Sequence, residues 1–260
     1  MTTEQAAGYT LDNAWEKAQR RLAILESLYD PGSTARLAAL GVDAGWRCLE
    51  LGAGGGSITR WLCDRVGPTG SVTAVDLEPR FLEADPRPNI EIHRRDIVAD
   101  GVPGDGYDLI HTRALLMHLP NPERLIAHMA SRLRPGGVLL VEEGDFYPFS
   151  ALQPSLYAEV WDQSARVAAK GGGDFYWARH LPEALDAAGL LEVSAIGEVQ
   201  MFRGGDPWAE LIGMTWEQHT PLMVANGYDG ELVAAAIAEL TDPARWFPSC
   251  ALIAASGRRP

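Results

Sequence analysis

The chain has 260 residues, and its 22 Lys and Arg stand against 35 Asp and Glu for a formal charge of −13. Its apolar content of 47 % is too high for a disordered chain. No run approaches the roughly 18 apolar residues of a membrane span, and the first residues lack the basic and apolar regions of a secretory leader. The acid excess is spread evenly, −6 over residues 1–150 and −7 over residues 151–260. That distribution speaks against nucleic acid as a partner, because phosphate contacts need clustered Lys and Arg. Cys48, Cys63 and Cys250 contain no CxxC pair, so neither a disulfide framework nor a Cys zinc site is expected, and a reducing cytoplasm is the expected setting.

Leu11, Trp15, Ala18, Leu22, Leu25 and Leu28 recur at three- and four-residue steps, which predicts an amphipathic helix over 11–29. Asp30, Pro31 and Gly32 should stop it, and Ser33 and Thr34 should cap a second short helix over 35–40. Strands are predicted at 47–51, 71–76, 90–93, 107–111 and 138–142, with helices at 58–66 and 121–133 between them. Strands alternating with helices imply right-handed βαβ units and a mostly parallel, doubly wound sheet, whose ligands sit at the carboxyl ends of the strands. Beyond residue 145 the texture changes: 14 of the 21 aromatic residues fall in 146–260. Helices are expected at 153–169, 180–188, 207–218 and 230–240. Strands at 191–203 and 246–256 should pair antiparallel and close the sheet edge. The expectation is one α/β domain with a Rossmann-like seven-stranded sheet: a helical cover at 1–45, a cofactor-binding core at 46–145, a helical insert after strand five at 146–190, and closing strands with their own helical insert at 191–260.

The glycine segment Gly52–Gly56 follows the first strand, with Gly52, Gly54 and Gly56 at every second position. Glycine is needed where the backbone turns sharply and approaches a ligand closely. Glu50 ends that first strand, Asp76 ends the second, 20 residues after Gly56, and Asp96 follows the third. Three acids at the ends of three successive strands converge on one edge of the sheet. A carboxylate at Asp76 suits ribose hydroxyls, and one at Asp96 suits an adenine amino group. The dinucleotide pattern GxGxxG is not met, because position 57 is Ser, and an acid at position 50 is unfavourable beside a pyrophosphate. An acid there suits a cationic group. With only Lys17 and Lys170 in the chain, neither four residues from a Tyr, the Tyr/Lys pair of short-chain dehydrogenases is absent. A nucleoside carrying an ammonium group, S-adenosylmethionine, fits best.

Glu50–Gly56, Val72–Leu77, Asp96 with Ile97, Tyr107–Arg113, Leu116–Pro120 and Leu133–Val138 resemble the motifs of class I S-adenosylmethionine-dependent methyltransferases over residues 46–143. The resemblance implies that Gly52, Ala53, Gly54 and Gly56 line the methionine and sugar and that Asp76 binds the ribose. It also implies that Leu77 packs on adenine, that Asp96 and Ile97 read its amino edge, and that Thr112 and Arg113 meet the methionine part. Tyr9 would reach the same region from the N-terminal segment. S-adenosylhomocysteine would be the product.

Methyl transfer is an in-line attack in which the protein supplies proximity and orientation, with a base where the nucleophile is a hydroxyl. His118, after the fourth strand, is the candidate base, while His111, inside that strand, reads as structural. Tyr147, Trp177, His180, Trp216 and His219 in the aromatic-rich part are candidates for binding a bulky, partly apolar small molecule. Glu142, Glu143 and Asp145 read as partly solvated, and no metal-ligand spacing is present. O-methylation in specialised metabolism is the leading expectation. A cyclase or decarboxylase that uses the bound cofactor without transferring its methyl group is the alternative, and a regulatory cofactor-binding protein a third. No membrane or nucleic-acid partner is expected, and a homodimer is compatible with the sequence.

Overall fold

The computed structural model describes residues 13–83 and 85–260. Strand β1 (Arg47–Leu51) alternates its buried side chains between two faces: Leu49 and Leu51 point to one side of the sheet and Cys48 to the other. The same division holds in β5 (Leu133–Asp145), where Leu139 and Val141 share a face with Leu49, and Val138 and Leu140 share the opposite one with Cys48. Helix α2 (Ser57–Val66) covers the Cys48 face, and α3 (Pro122–Arg132) and α6 (Leu181–Ala187) cover the other.

With β2 (Ser71–Asp76), β3 (Ile90–Arg94), β4 (Tyr107–Arg113), β6 (Leu191–Glu198) and β9 (Ala251–Arg258), the seven strands run in the order β3-β2-β1-β4-β5-β9-β6. The first five are parallel, and β9 runs antiparallel to both β5 and β6. This is the mostly parallel seven-stranded sheet with an antiparallel C-terminal strand that the sequence predicts. The strand order reverses between β1 and β4, so a crevice opens there at the carboxyl edge.

The structure differs from the sequence reading in three places. First, α1 is one continuous helix, Ala18–Ala39, that runs through Pro31. Pro31 has no N–H to give, but the helix is held from outside: Arg113 donates to Asp30 Oδ1 and Ser33 Oγ, both at 2.9 Å, and Arg36 donates to Glu142 at 2.8 Å. Second, the strand expected at 246–256 divides at Ser249 and Cys250, and the long strand expected at 191–203 divides at Val199 and Gln200. Its last part, β7 (Met201–Arg203), leaves the main sheet and pairs with β8 (Trp246–Pro248) as a separate ribbon. Third, Glu142, Glu143 and Asp145 are fully buried rather than partly solvated, each with defined partners. Among the described residues, no helix is long and apolar enough to cross a membrane.

After β5 come the short α4 (Tyr147–Ser150) and α5 (Leu156–Lys170). Helices α7 (Pro207–Ala225) and α8 (Gly230–Glu239) pack with α5 and the β7–β8 ribbon into a cap. Its core is aromatic: Phe149 stacks on Trp161 at 5.1 Å, and Trp161 meets Trp216 edge-on at 5.2 Å. Helix α1 ties cap to sheet by packing on α7, with ion pairs Lys17–Glu217 at 2.6 Å and Arg20–Glu210 at 3.0 Å.

Candidate active site

A cavity of about 400 Å³ lies in the crevice at the carboxyl edge of the sheet, within the range of small-molecule and cofactor sites. Each strand contributes through the loop that follows it. The loop after β1 turns with φ of +72° at Gly52, +55° at Gly54 and +86° at Gly56, values open to glycine at little cost. A side chain at Gly56 would also collide with Leu82. The loop therefore keeps its backbone against the cavity and delivers its chain into α2.

Asp76, at the end of β2, accepts from Gly54 N and Glu78 N, both at 2.8 Å. Its carboxylate thus shapes the glycine loop while facing the cavity. Burial holds its carboxyl above the ordinary value, against the lowering effect of those two hydrogen bonds. Asp96 caps the turn after β3 by accepting from Val98 N at 2.8 Å and Ala99 N at 3.3 Å, and Ile97 lies beside it in the wall. Glu50 is buried at the cavity floor and accepts from the Thr59 hydroxyl. Ala53, Leu77, Arg113 and His118 also line the cavity. Ala114, between them, carries a φ of +52°, a strained value for a residue with a side chain.

Three carboxylates, Glu50, Asp76 and Asp96, thus reach one cavity from three successive strands. The donor set fits a cationic nucleoside: acceptors for ribose hydroxyls and for an amino group, and a negative floor for an ammonium.

A family model described as a methyltransferase domain matches residues 14–195. The chain belongs to this family of S-adenosylmethionine-dependent methyltransferases. A stretch of the hybrid PKS-NRPS synthetase apdA of Emericella nidulans is 29 % identical over 187 residues, 60 % of this chain and 5 % of that one. The malonyl-[acyl-carrier protein] O-methyltransferase of Halalkalibacterium halodurans is 32 % identical over 130 residues, 47 % of this chain and 44 % of its own. The chain spans about half, or less, of the length of the curated relatives it matches. The fold is similar to that of Haemonchus contortus phosphoethanolamine N-methyltransferase 2, solved with S-adenosylhomocysteine, with a TM-score of 0.58 at 15 % identity over 96 % of this chain and 59 % of that one.

Two residues of the methyltransferase's expected site are not in the wall: Gly56 is the N-cap of α2, and Thr112 is buried in β4 with its hydroxyl lacking a hydrogen-bond partner. Tyr9 lies outside the described residues. The aromatic expectation fares differently. Tyr147, Trp177, His180, Trp216 and His219 are not in the cavity wall. Tyr147 is exposed beside Arg179, and His180 is exposed too. Trp177 is buried in the sheet core and donates to Glu123 at 2.6 Å, and Trp216 is fully buried in the cap. Aromatic rings at helical spacing bury each other here instead of walling a pocket. His219 is buried close to His118 without reaching the cavity.

In place of those rings the wall is completed by α1, through Arg21, Leu22, Leu25 and Glu26, with Asn13 before it. Glu26 accepts from Ser57 N at 3.2 Å, which fastens α1 over the glycine loop. Their signal was present as charges set into the apolar stripe of the first helix.

His118 meets Phe175 edge-on at 5.3 Å. Burial, followed by the positive charge of His219 and Arg21, lowers its pKa to about 3. His118 is therefore a neutral hydrogen-bonding group at ordinary pH. The turn that precedes it is pinned by Glu143, which accepts from the backbone N–H groups of Leu115, Leu116 and Met117 at 2.8 to 3.3 Å. Burial pushes the Glu143 carboxyl up to about 7 despite those bonds.

Proposed function

We propose that this enzyme methylates an oxygen nucleophile, a phenol, enol or carboxylic acid, on a small and partly apolar molecule of specialised metabolism. The observation that carries the reading is the composition of the cavity wall beyond its three carboxylates. Leu22, Leu25, Leu119 and Pro120 supply apolar surface in its wall, and Arg21 and His118 stand among them. In this reading Asp76 holds the ribose, Asp96 and Ile97 the adenine, Leu77 the face of its ring, and Glu50 the methionine ammonium. When bound, S-adenosylmethionine supplies an electrophilic methyl group on a sulfonium.

The protein's own part is orientation and charge. A neutral His118 accepts a hydrogen bond from the substrate hydroxyl, but a group with a pKa of about 3 takes a whole proton poorly. The nearby guanidinium of Arg21 favours an ionised oxygen. The pair is thus suited to acidic hydroxyls that reach the site already ionised or nearly so. The name of the Halalkalibacterium halodurans relative, an O-methyltransferase, supports the oxygen acceptor, and the match to a PKS-NRPS synthetase supports a place in specialised metabolism.

The test is incubation with methyl-labelled S-adenosylmethionine and a panel of phenols, carboxylic acids, amines and activated carbon acids. Label in an O-methyl product is expected. Label confined to N- or C-methyl products would overturn the oxygen assignment, and unlabelled conversion would favour a cyclase or decarboxylase.

A further inference from the structure

Glu50 sits at one end of a buried chain of charges that leads away from the cofactor cavity. His111 is directly opposite Glu50 across the β1–β4 pairing and is fully buried. Its Nε2 lies 3.1 Å from Glu142 Oε2, and its Nδ1 lies 3.7 Å from Glu50 Oε1, an ion-pair separation outside hydrogen-bond reach. Beyond it, Glu142 accepts from Arg36 at 2.8 Å, and Arg36 also pairs with Glu198. Thr59 of α2 donates to Glu50, and Ser33 of α1 and Arg113 of β4 complete the polar surroundings of Glu142. An imidazole ring between two carboxylates is well placed to bind a proton and poorly placed without one. A neutral ring would turn a lone pair toward one of the two anions.

We propose that His111 is a positioning residue whose proton competes with the cofactor's ammonium group for the Glu50 carboxylate, so that cofactor binding expels a proton from this buried site. The inference rests on the reading that Glu50 receives the ammonium. Before binding, the imidazolium faces Glu50 from the β4 side of the pairing. When the ammonium arrives, Glu50 is neutralised from the cavity side, and the incoming positive charge weakens the hold of His111 on its proton about tenfold or more. The proton leaves to solvent, and Glu142 remains balanced by Arg36.

Burial opposes a charge on His111, but its contacts with Glu142 and Glu50 outweigh burial and raise its pKa above the ordinary 6.5. Burial likewise opposes ionisation of Glu142, which His111, Ser33 and Arg113 nonetheless bring down to about 2. The two carboxylates thus favour the protonated form of the ring that lies between them.

The experiment is calorimetry of S-adenosylhomocysteine binding near pH 7, in buffers of different ionisation heat, to the wild type, His111→Gln, Glu142→Gln and Glu50→Gln. The wild type should release a fraction of a proton per ligand, and its Kd should tighten severalfold as pH rises. His111→Gln should abolish the release and flatten that profile, leaving only the contribution of the ligand's own amine, which is common to both proteins. Glu142→Gln removes the carboxylate nearest the ring and should move the release to lower pH. Should His111→Gln fail to fold, histidine NMR on the wild type gives the same answer: the pKa of His111 must fall on ligand binding.

Equal proton release by wild type and His111→Gln, or a His111 titration indifferent to the ligand, overturns the inference. Failure of the underlying reading looks different: Glu50→Gln would then leave the affinity for S-adenosylhomocysteine unchanged, whatever His111 does.

Discussion

Replacing Asp76 by Ala removes a carboxylate that shapes the glycine loop and, in the proposed binding mode, holds the ribose. In the structure it accepts from Gly54 N and Glu78 N at 2.8 Å each, and two ribose hydroxyls would add two more bonds to a charged acceptor. Such bonds contribute about 1.5–3 kcal/mol each. The hydroxyls of free ligand are bonded to water, so a net loss of about 3–4 kcal/mol is reasonable, which weakens binding about a hundredfold to a thousandfold. Asp76→Asn keeps the shape and one acceptor oxygen and should lose about tenfold. The raised pKa of Asp76 adds a direction: affinity should fall on acidification earlier than an exposed Asp would dictate, because protonation removes the acceptor charge. Calorimetry with S-adenosylhomocysteine reads each number, and thermal melting checks that the fold survives. A loss below threefold with an unchanged melt, or lost turnover with wild-type cofactor affinity, refutes the ribose role.

Four further outcomes are expected. Arg36→Met leaves Glu142 with one fewer cation in a fully buried setting; a cost of about 3 kcal/mol should lower Tm by about 6–12 °C, and an unchanged Tm would contradict the buried network. Trp216→Ala should cost about 3–5 kcal/mol by opening a void in the cap while leaving the Kd for S-adenosylhomocysteine unchanged; a raised substrate KM at unchanged Tm would return Trp216 to the substrate wall. His118 and His219 titrate near 3 and 4 in the folded protein against an ordinary 6.5. The unfolded chain therefore binds more protons below pH 6.5, and stability should drop as pH falls from 6.5 toward 4; His219→Gln should shrink that drop, which melting at pH 5 and 7 measures. His118→Gln should lower kcat about ten- to hundredfold, and the wild-type kcat profile should lack an acid limb near 6.5; such a limb, abolished by the variant, would make His118 a conventional base.

What the sequence disclosed was local. Gly52, Gly54, Asp76 and Asp96 are recognisable because a tight turn and a strand-end carboxylate are each written in a few adjacent residues. Pro31 misled because the helix through it is held by Arg113 and Arg36, partners 80 or so residues away in sequence or reaching to another strand. The aromatic load of residues 146–260 signalled burial, but periodicity does not say whether rings face a ligand or each other; Trp161 and Trp216 face each other. The particular residues that α1 brings to the wall are hidden for a related reason. Arg21 and Glu26 look like interruptions of an apolar stripe until the fold sets that stripe over the glycine loop. His111 was correctly read as internal, yet its position between Glu50 and Glu142 depends on the pairing of three strands.

The structure of the complex with S-adenosylhomocysteine tests the site assignment most directly. It should place the ribose hydroxyls within hydrogen-bond distance of Asp76, the adenine between Leu77 and Ile97 with its amino group at Asp96, the ammonium at Glu50, and the sulfur turned toward His118 and Arg21. A ligand bound with its adenine at the His118 end, or outside this cavity, would contradict it.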